Sequence, residues 1–242
     1  MEITDNKKVI INLKDICFKY PGTKKIVIDN LNLKIHYGDR IGIMAPNGSG
    51  KTTLFHLIMG LLIPDSGTIE IFGKPVKTEK DFEGIRSKIG LLFQDSDDQL
   101  FTPTVLEDVA FGPLNMGKSR DQAKKIAMET LDQLGLIGFE NRVTYMLSGG
   151  EKRMVALATV LAMQPEMLLL DEPSTGLDEK TKDRLIEVLS ELDLSYILIS
   201  HEHNFLYHLS HSLYLMENGK IYKGKKKHQH LHAHPHISHE HE

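Results

Sequence analysis

The chain has 242 residues, 40% of them apolar, a formal net charge of −4 and a single cysteine, Cys17. This is the composition of a soluble globular protein with one full-sized domain. The acidic balance excludes a general basic field for nucleic acid, and one cysteine excludes an internal disulfide, as suits a reducing cytosol. The opening MEITDNKKVI lacks the basic start and apolar core of a signal peptide, and no apolar stretch approaches the ~18 residues of a membrane span. Any membrane role therefore needs a partner.

The first 40 residues alternate in places, with Leu31, Leu33 and Ile35 of LNLKIHY on one face, and YPGTKK supplies a turn. That pattern predicts antiparallel sheet. DRIGIMA reads as a short buried strand running straight into APNGSGKTT, residues 45–53. TTLFHLIMGLL follows with helical spacing of Leu54, Leu57, Ile58 and Leu61, up to Pro64. Between about 95 and 165 the spacing turns helical. Ser119 and Gln122 form a capping box ahead of Ala123, Ile126, Ala127, Leu131 and Leu134, and Gly135 closes that helix. A second helix is expected from Gly149 to Gln164, before Pro165. MLLLDE has no alternation, as a strand covered on both faces requires. YILISHE is its expected neighbour, reached through a helix carrying Leu185, Val188, Leu189 and Leu192. Asn218-Gly219 marks a terminal hairpin.

Three motifs carry chemistry. The loop 45–53 fits the phosphate-binding pattern G-x-x-x-x-G-K-[ST], except that Ala45 stands where the first Gly belongs. The loop Ala45, Pro46, Asn47, Gly48, Ser49, Gly50, Lys51, Thr52, Thr53 offers backbone N–H groups freed by its glycines at a helix N-terminus. Lys51 would bridge the β- and γ-phosphates, and Thr52 would give its hydroxyl to Mg²⁺. Ala45 matters only if its position needs φ > 0 or its Cβ would strike the ligand. At the end of MLLLDE, Asp171 suits a Mg²⁺ carboxylate and Glu172 a general base for the attacking water. In LSGGE, Ser148 caps a helix with Glu151 three residues on, but Gly149 and Gly150 are expensive in a first turn. They make sense if a phosphate must approach the backbone.

The ordered set Tyr20, APNGSGKTT, LLFQD, LSGGE, MLLLDEPSTGLD and LISHE resembles the nucleotide-binding subunit of an ABC transporter over roughly residues 10–225. The resemblance implies an α/β fold: a P-loop NTPase (RecA-like) core, an N-terminal antiparallel β subdomain, and a helical subdomain inserted at about 95–165. It places the ATPase domain at 1–224. It also implies ATP and Mg²⁺ as ligands and a head-to-tail pair of ATPase subunits, identical or not. Each ATP would lie between one copy's phosphate loop and Ser148, Gly149 and Gly150 of the other. Tyr20 would stack on adenine. Gln94 would touch Mg²⁺ and the attacking water, Asp178 would communicate across the dimer, and His201 would contact the γ-phosphate. Every residue expected to do chemistry is present, so the resemblance implies a competent site despite Ala45.

FQDSDDQLFTPTVLEDVAFGPLNMG, residues 93–117, is similar to the ATPases of energy-coupling-factor importers, notably the cobalt and nickel branch and its vitamin-importing relatives. Transmembrane scaffold and substrate-capture subunits are then implied, with the ATPase peripheral on the cytoplasmic face of the membrane. Residues 225–242 are low-complexity and hold seven of the 13 histidines: His228, His230, His232, His234, His236, His239 and His241. Such a tail cannot bury a core, and it supplies imidazoles suited to Ni²⁺, Co²⁺ or Zn²⁺.

Overall fold

The computed structural model describes residues 8–224; the seven tail histidines and the segment 225–242 lie outside the described residues. Two sheets organise the chain. Strands β1 (Val9–Lys19), β2 (Ile26–His36), β4 (Ser66–Ile71) and β5 (Lys74–Val76) form an antiparallel sheet in the order β2-β1-β4-β5. The alternation of Leu31, Leu33 and Ile35 places all three on its buried face.

The second sheet joins β3 (Arg40–Met44), β6 (Ile89–Leu92), β7 (Met167–Asp171), β8 (Ser195–Ser200), β9 (Ser212–Glu217) and β10 (Lys220–Lys223) in the order β10-β9-β3-β8-β7-β6. All its pairings are parallel except the β9–β10 hairpin, which turns at Asn218 and Gly219 with φ of +50° and +76°. Positive φ at both central residues matches the right-handed twist of the arms. Parallel β3, β7 and β8 therefore end at one edge, and in such sheets ligands bind outside the carboxyl ends of the strands.

Every residue of β7 and β8 is buried. Met167 and Leu169, with Ile197 and Ile199, face a core shared with the antiparallel sheet and α1 (Lys51–Ile58). Leu168 and Leu170, with Tyr196 and Leu198, face a second core. That core is filled by α3 (Val105–Asn115), α4 (Arg120–Gln133), α5 (Gly149–Leu161), α6 (Glu179–Glu191) and α7 (His203–Leu209). The helices of 95–165 thus share their apolar core with the sheet instead of closing one of their own. The capping box of Ser119 with Gln122 opens α4, and Gly135 follows it at φ +71°.

Two helices stop earlier than their spacing predicts. α1 ends at Ile58, because Gly60 turns left-handed at φ +65° and a Cβ there would lie 2.4 Å from Phe82. α5 ends at Leu161, short of Gln164, which sits at φ +53° before Pro165. A residue preceding proline is driven out of the helical region. Sequence spacing also left α2 (Glu79–Arg86) and the β4–β5 hairpin without a signal.

Candidate functional site

β3 delivers the chain into the glycine-rich loop and α1 takes it out. Gly48 and Gly50 hold φ of +76° and +100°, and at Gly50 a Cβ would fall 2.8 Å from the Val27 carbonyl oxygen. Both conformations belong to glycine. Ala45 is different: it is 1% exposed, its side chain belongs to the first core, and it is not among the described residues with positive φ. Its Cβ points into protein, so alanine is compatible with the loop.

Lys51 Nζ donates to Glu172 Oε1 at 2.6 Å, and Thr52 Oγ1 donates to Asp171 Oδ2 at 2.8 Å. The end of β7 thus lies against the start of α1. Glu172 stands in the left-handed region at φ +50°, its N–H held by the Ile199 carbonyl at 2.9 Å. For a non-glycine residue that conformation costs about 1–3 kcal/mol and persists where surroundings over-determine it. Its Oε2 faces His201 Nδ1 at 2.9 Å. Burial pushes the Asp171 carboxyl above the usual carboxylate range, against the Thr52 hydrogen bond and the nearby Lys51 charge. Asp171 Oδ1 and Ser49 Oγ are buried without a hydrogen-bond partner among the described residues. A buried acceptor with no donor, on a carboxyl resisting burial, fits a cation ligand.

An open cavity of about 440 Å³ faces the loop and is lined by Tyr20, Thr23, Lys25, Val27, Asn47, Gly48, Gly50, Lys51, Thr52, Thr53 and Gln94. Tyr20 is 40% exposed, and its hydroxyl lies 3.0 Å from Thr53 Oγ1. Pro46 is exposed on the same loop. A larger cavity of about 620 Å³, beside Tyr37, Phe72, Lys88 and Glu166, lies at the opposite end of β7. It holds none of the residues singled out by sequence, so chemistry outweighs size here.

Ser148, Gly149, Gly150 and Asp178 do not line the phosphate-loop cavity. Ser148 caps α5, its hydroxyl accepting from Glu151 N at 3.3 Å while its own N–H donates to Glu151 Oε2 at 2.8 Å. Asp178 caps α6 through Thr181. A Cβ at Gly149 would meet nothing, and at Gly150 only ordinary contacts at 3.5 Å and beyond. Nothing among the described residues requires glycine there.

Sequence reasoning missed Arg153, which is 6% exposed and donates to the carbonyls of Phe93 and Gln94. Its neighbours hid it: Arg153 closes the charged run EKR that precedes MVALATVL, and so reads as part of a solvated helix start. It also missed Glu202, which accepts from Ser174 Oγ at 2.7 Å and from Lys182, tying the loop after Glu172 to α6.

A glycine loop between a central parallel strand and a helix, with lysine and two buried carboxylates at the strand edge, defines a P-loop nucleoside triphosphatase. The model of the ABC transporter family matches residues 28–175. The chain belongs to this family, as an ATP-binding domain that hydrolyses ATP. Among its relatives, the energy-coupling factor transporter ATP-binding protein EcfA of Methanothermobacter thermautotrophicus is 42% identical over 217 residues, 88% of this chain and 69% of the relative. The structure of CbiO1 from Clostridium perfringens, part of the ABC transporter complex CbiONQ, is 32% identical with a TM-score of 0.80, covering 90% of this chain and 89% of that one. A dimeric ATP-binding cassette in a post-hydrolysis state with bound ADP and phosphate is 28% identical with a TM-score of 0.83, covering 90% and 99%.

Proposed function

We propose that this chain is the ATP-hydrolysing subunit of an energy-coupling-factor importer for cobalt or nickel ions. It works as one of a pair of ATPase subunits, peripheral on the cytoplasmic face of the membrane beneath scaffold and substrate-capture subunits. The observation that carries the nucleotide chemistry is the convergence of Lys51, Thr52, Asp171, Glu172 and His201 at one edge of the parallel sheet. The importer class is supported by the likeness to EcfA and to CbiO1. The metal is supported by the seven histidines between 228 and 241. In this reading residues 1–224 are the ATPase and 225–242 a metal-binding tail. Among the described residues no helix is long and apolar enough to cross a membrane, so transport needs the partner subunits.

The residues divide the work. Tyr20, tethered to Thr53 at the cavity rim, offers its ring to adenine. The N–H groups of residues 47–53 cradle the phosphates, and Lys51 leaves Glu172 for the β- and γ-phosphate oxygens. Glu172 is then free to take a proton from the attacking water, while His201 keeps hold of its other oxygen and faces the γ-phosphate. Thr52, Gln94 and Asp171 would hold Mg²⁺, which neutralises phosphate charge when bound. Two glycines at the start of α5 cost about 1 kcal/mol each relative to alanine. Nothing among the described residues uses them, which supports a second copy's phosphate approaching there, with Asp178 beside the junction.

The test is purification of the chain with its membrane partners, followed by metal analysis and uptake of ⁵⁷Co²⁺ and ⁶³Ni²⁺ into vesicles loaded with ATP. ATP-dependent uptake of either ion is expected. A complex that takes up a vitamin and neither ion would overturn the metal assignment, and a chain that recovers no membrane subunit would overturn the importer.

A further inference from the structure

Gln94 lies two residues beyond the end of β6, which does not hold it. Pairing between β6 and β7 ends at Leu92, opposite Leu170. Beyond that, the segment 93–99 is tied to α5. Arg153 donates from Nη1 to the Phe93 carbonyl at 2.6 Å and from Nη2 to the Gln94 carbonyl. Lys152 Nζ lies 2.5 Å from Asp97 Oδ1. Gln99 accepts from Phe93 N at 3.2 Å and donates to the Ala156 carbonyl and to Thr159 Oγ1, both at 2.9 Å. Two consecutive carbonyls aimed at one planar guanidinium fix two consecutive peptide planes. The Cα–Cβ direction of Gln94 lies between those planes and is fixed with them.

Arg153 is buried, and burying a guanidinium is costly unless its donors are satisfied. The charges of Asp95, Asp171 and Glu172 act on it, so its partners and its field both belong to the nucleotide edge of the sheet. Arg153 lies five residues after Ser148 in the chain, on the second turn of the helix that Ser148 caps.

We propose that Arg153 is a positioning residue for ATP hydrolysis. Its guanidinium clamps the backbone of Phe93 and Gln94 to α5, so that the Gln94 side chain enters the nucleotide site only when α5 is correctly seated. The loop that carries Gln94 and the helix whose N-terminus presents Gly149 and Gly150 then move as one body. The proposal rests on the placement of Gln94 in the nucleotide site given above.

The test is a double-mutant cycle on the full chain, read as ATPase turnover, nucleotide affinity and melting temperature. Arg153→Met should lower kcat about tenfold to a hundredfold, the scale of a small misplacement of a reacting group, with ATP affinity within about threefold of the parent. Arg153→Lys keeps the charge but not the planar fork, so it should recover only part of the loss. Combining either variant with Gln94→Ala should be no slower than Gln94→Ala alone, within about twofold, because both act through one side chain. The cycle with Arg153→Lys answers the question if Arg153→Met melts too low to assay. Multiplicative losses would overturn the clamp while leaving Gln94 in the site, and full recovery by lysine would overturn the geometric role in favour of charge alone. Turnover unchanged in Gln94→Ala would overturn the placement of Gln94 itself, and the proposal with it.

Discussion

Lys51 Nζ donates to Glu172 Oε1 at 2.6 Å, with the two side chains only 8% and 3% exposed. The residue offered to phosphate and the residue offered to water therefore occupy one another. In the proposed mechanism an incoming γ-phosphate competes with Glu172 for the lysine, and its arrival releases the base. Nucleotide binding and activation of the base become one event. Glu172→Gln should then bind ATP at least as tightly as the parent, because a neutral amide holds Lys51 less firmly. Turnover should fall ~10²- to 10⁴-fold, the usual loss for one positioned base. Equilibrium binding of a fluorescent ATP analogue, alongside phosphate release, checks both halves. Turnover within about twofold of the parent would remove Glu172 as the base.

Lys51→Ala has two expected effects with separate readouts. Nucleotide affinity should collapse, since the phosphate charge loses its partner. The protein should also melt lower, because Glu172 stays buried with Oε1 stripped of its lysine while His201 and Thr175 contact only Oε2; breaking a buried pair typically costs ~3–5 kcal/mol. Adding Glu172→Gln to Lys51→Ala removes the stranded charge. The double variant should regain most of the lost melting temperature in calorimetry and none of the ATP binding.

Ala45 separates packing from chemistry. Its methyl belongs to the first core, and Ala45 does not line the cavity that Gly48 and Gly50 line. Ala45→Gly should therefore lower stability by about 1 kcal/mol through added chain entropy and a lost buried methyl. ATP affinity and turnover should stay within about twofold. A large gain in turnover would mean that alanine cripples the loop.

The contrast between Ala45 and Arg153 says what kind of information a sequence holds. Lys51, Thr52, Asp171 and Glu172 could be singled out because the chemistry proposed for them is tied to local context (a strand end, a glycine turn, a helix start), and the structure brings them together. The strands β7 and β8 were legible because burial on both faces removes alternation from MLLLDE and YILISHE. The end of α1 was not, because Gly60 is required by Phe82, which lies 22 positions along the chain. The ion pair of Lys51 with Glu172 spans 121 positions, and no periodicity encodes a partner at that distance. Arg153 donates to carbonyls, and main-chain acceptors leave no trace in residue identity.

Glu151 supplies a test through pH. The Arg142 guanidinium beside it, then the Ser148 N–H, hold its carboxyl below the usual carboxylate range. A folded pKa below the unfolded value of about 4.3 contributes stability above that value and loses it as pH falls through the folded pKa. Glu151→Gln keeps an acceptor for the cap and removes the charge. Discounted for solvent screening, the partly exposed pair is worth about 0.5–1 kcal/mol. The variant should melt about 1–4 °C below the parent between pH 5.5 and 8, and the gap should close below about pH 4. A gap that widens on acidification would show that Glu151 is not held in its ionised form.

The tail histidines can be judged without a fold. Imidazole must be neutral to ligate, and its unperturbed pKa is about 6.5. A segment with His228, His230, His232, His234, His236, His239 and His241 should thus bind Ni²⁺, Co²⁺ and Zn²⁺ at pH 7.5 and release them near pH 5. Wrapping a low-complexity chain round a metal costs conformational entropy, so affinity should be moderate. Deleting residues 228–242 should leave basal ATPase activity unchanged, because no residue assigned to the nucleotide site lies beyond His201. Uptake should suffer chiefly where external metal is scarce or excess must be buffered. Calorimetric titration of the full-length and shortened proteins with the three metals decides the point. Equal binding by both would take the histidines out of the case for a metal and leave the vitamin importers on equal terms.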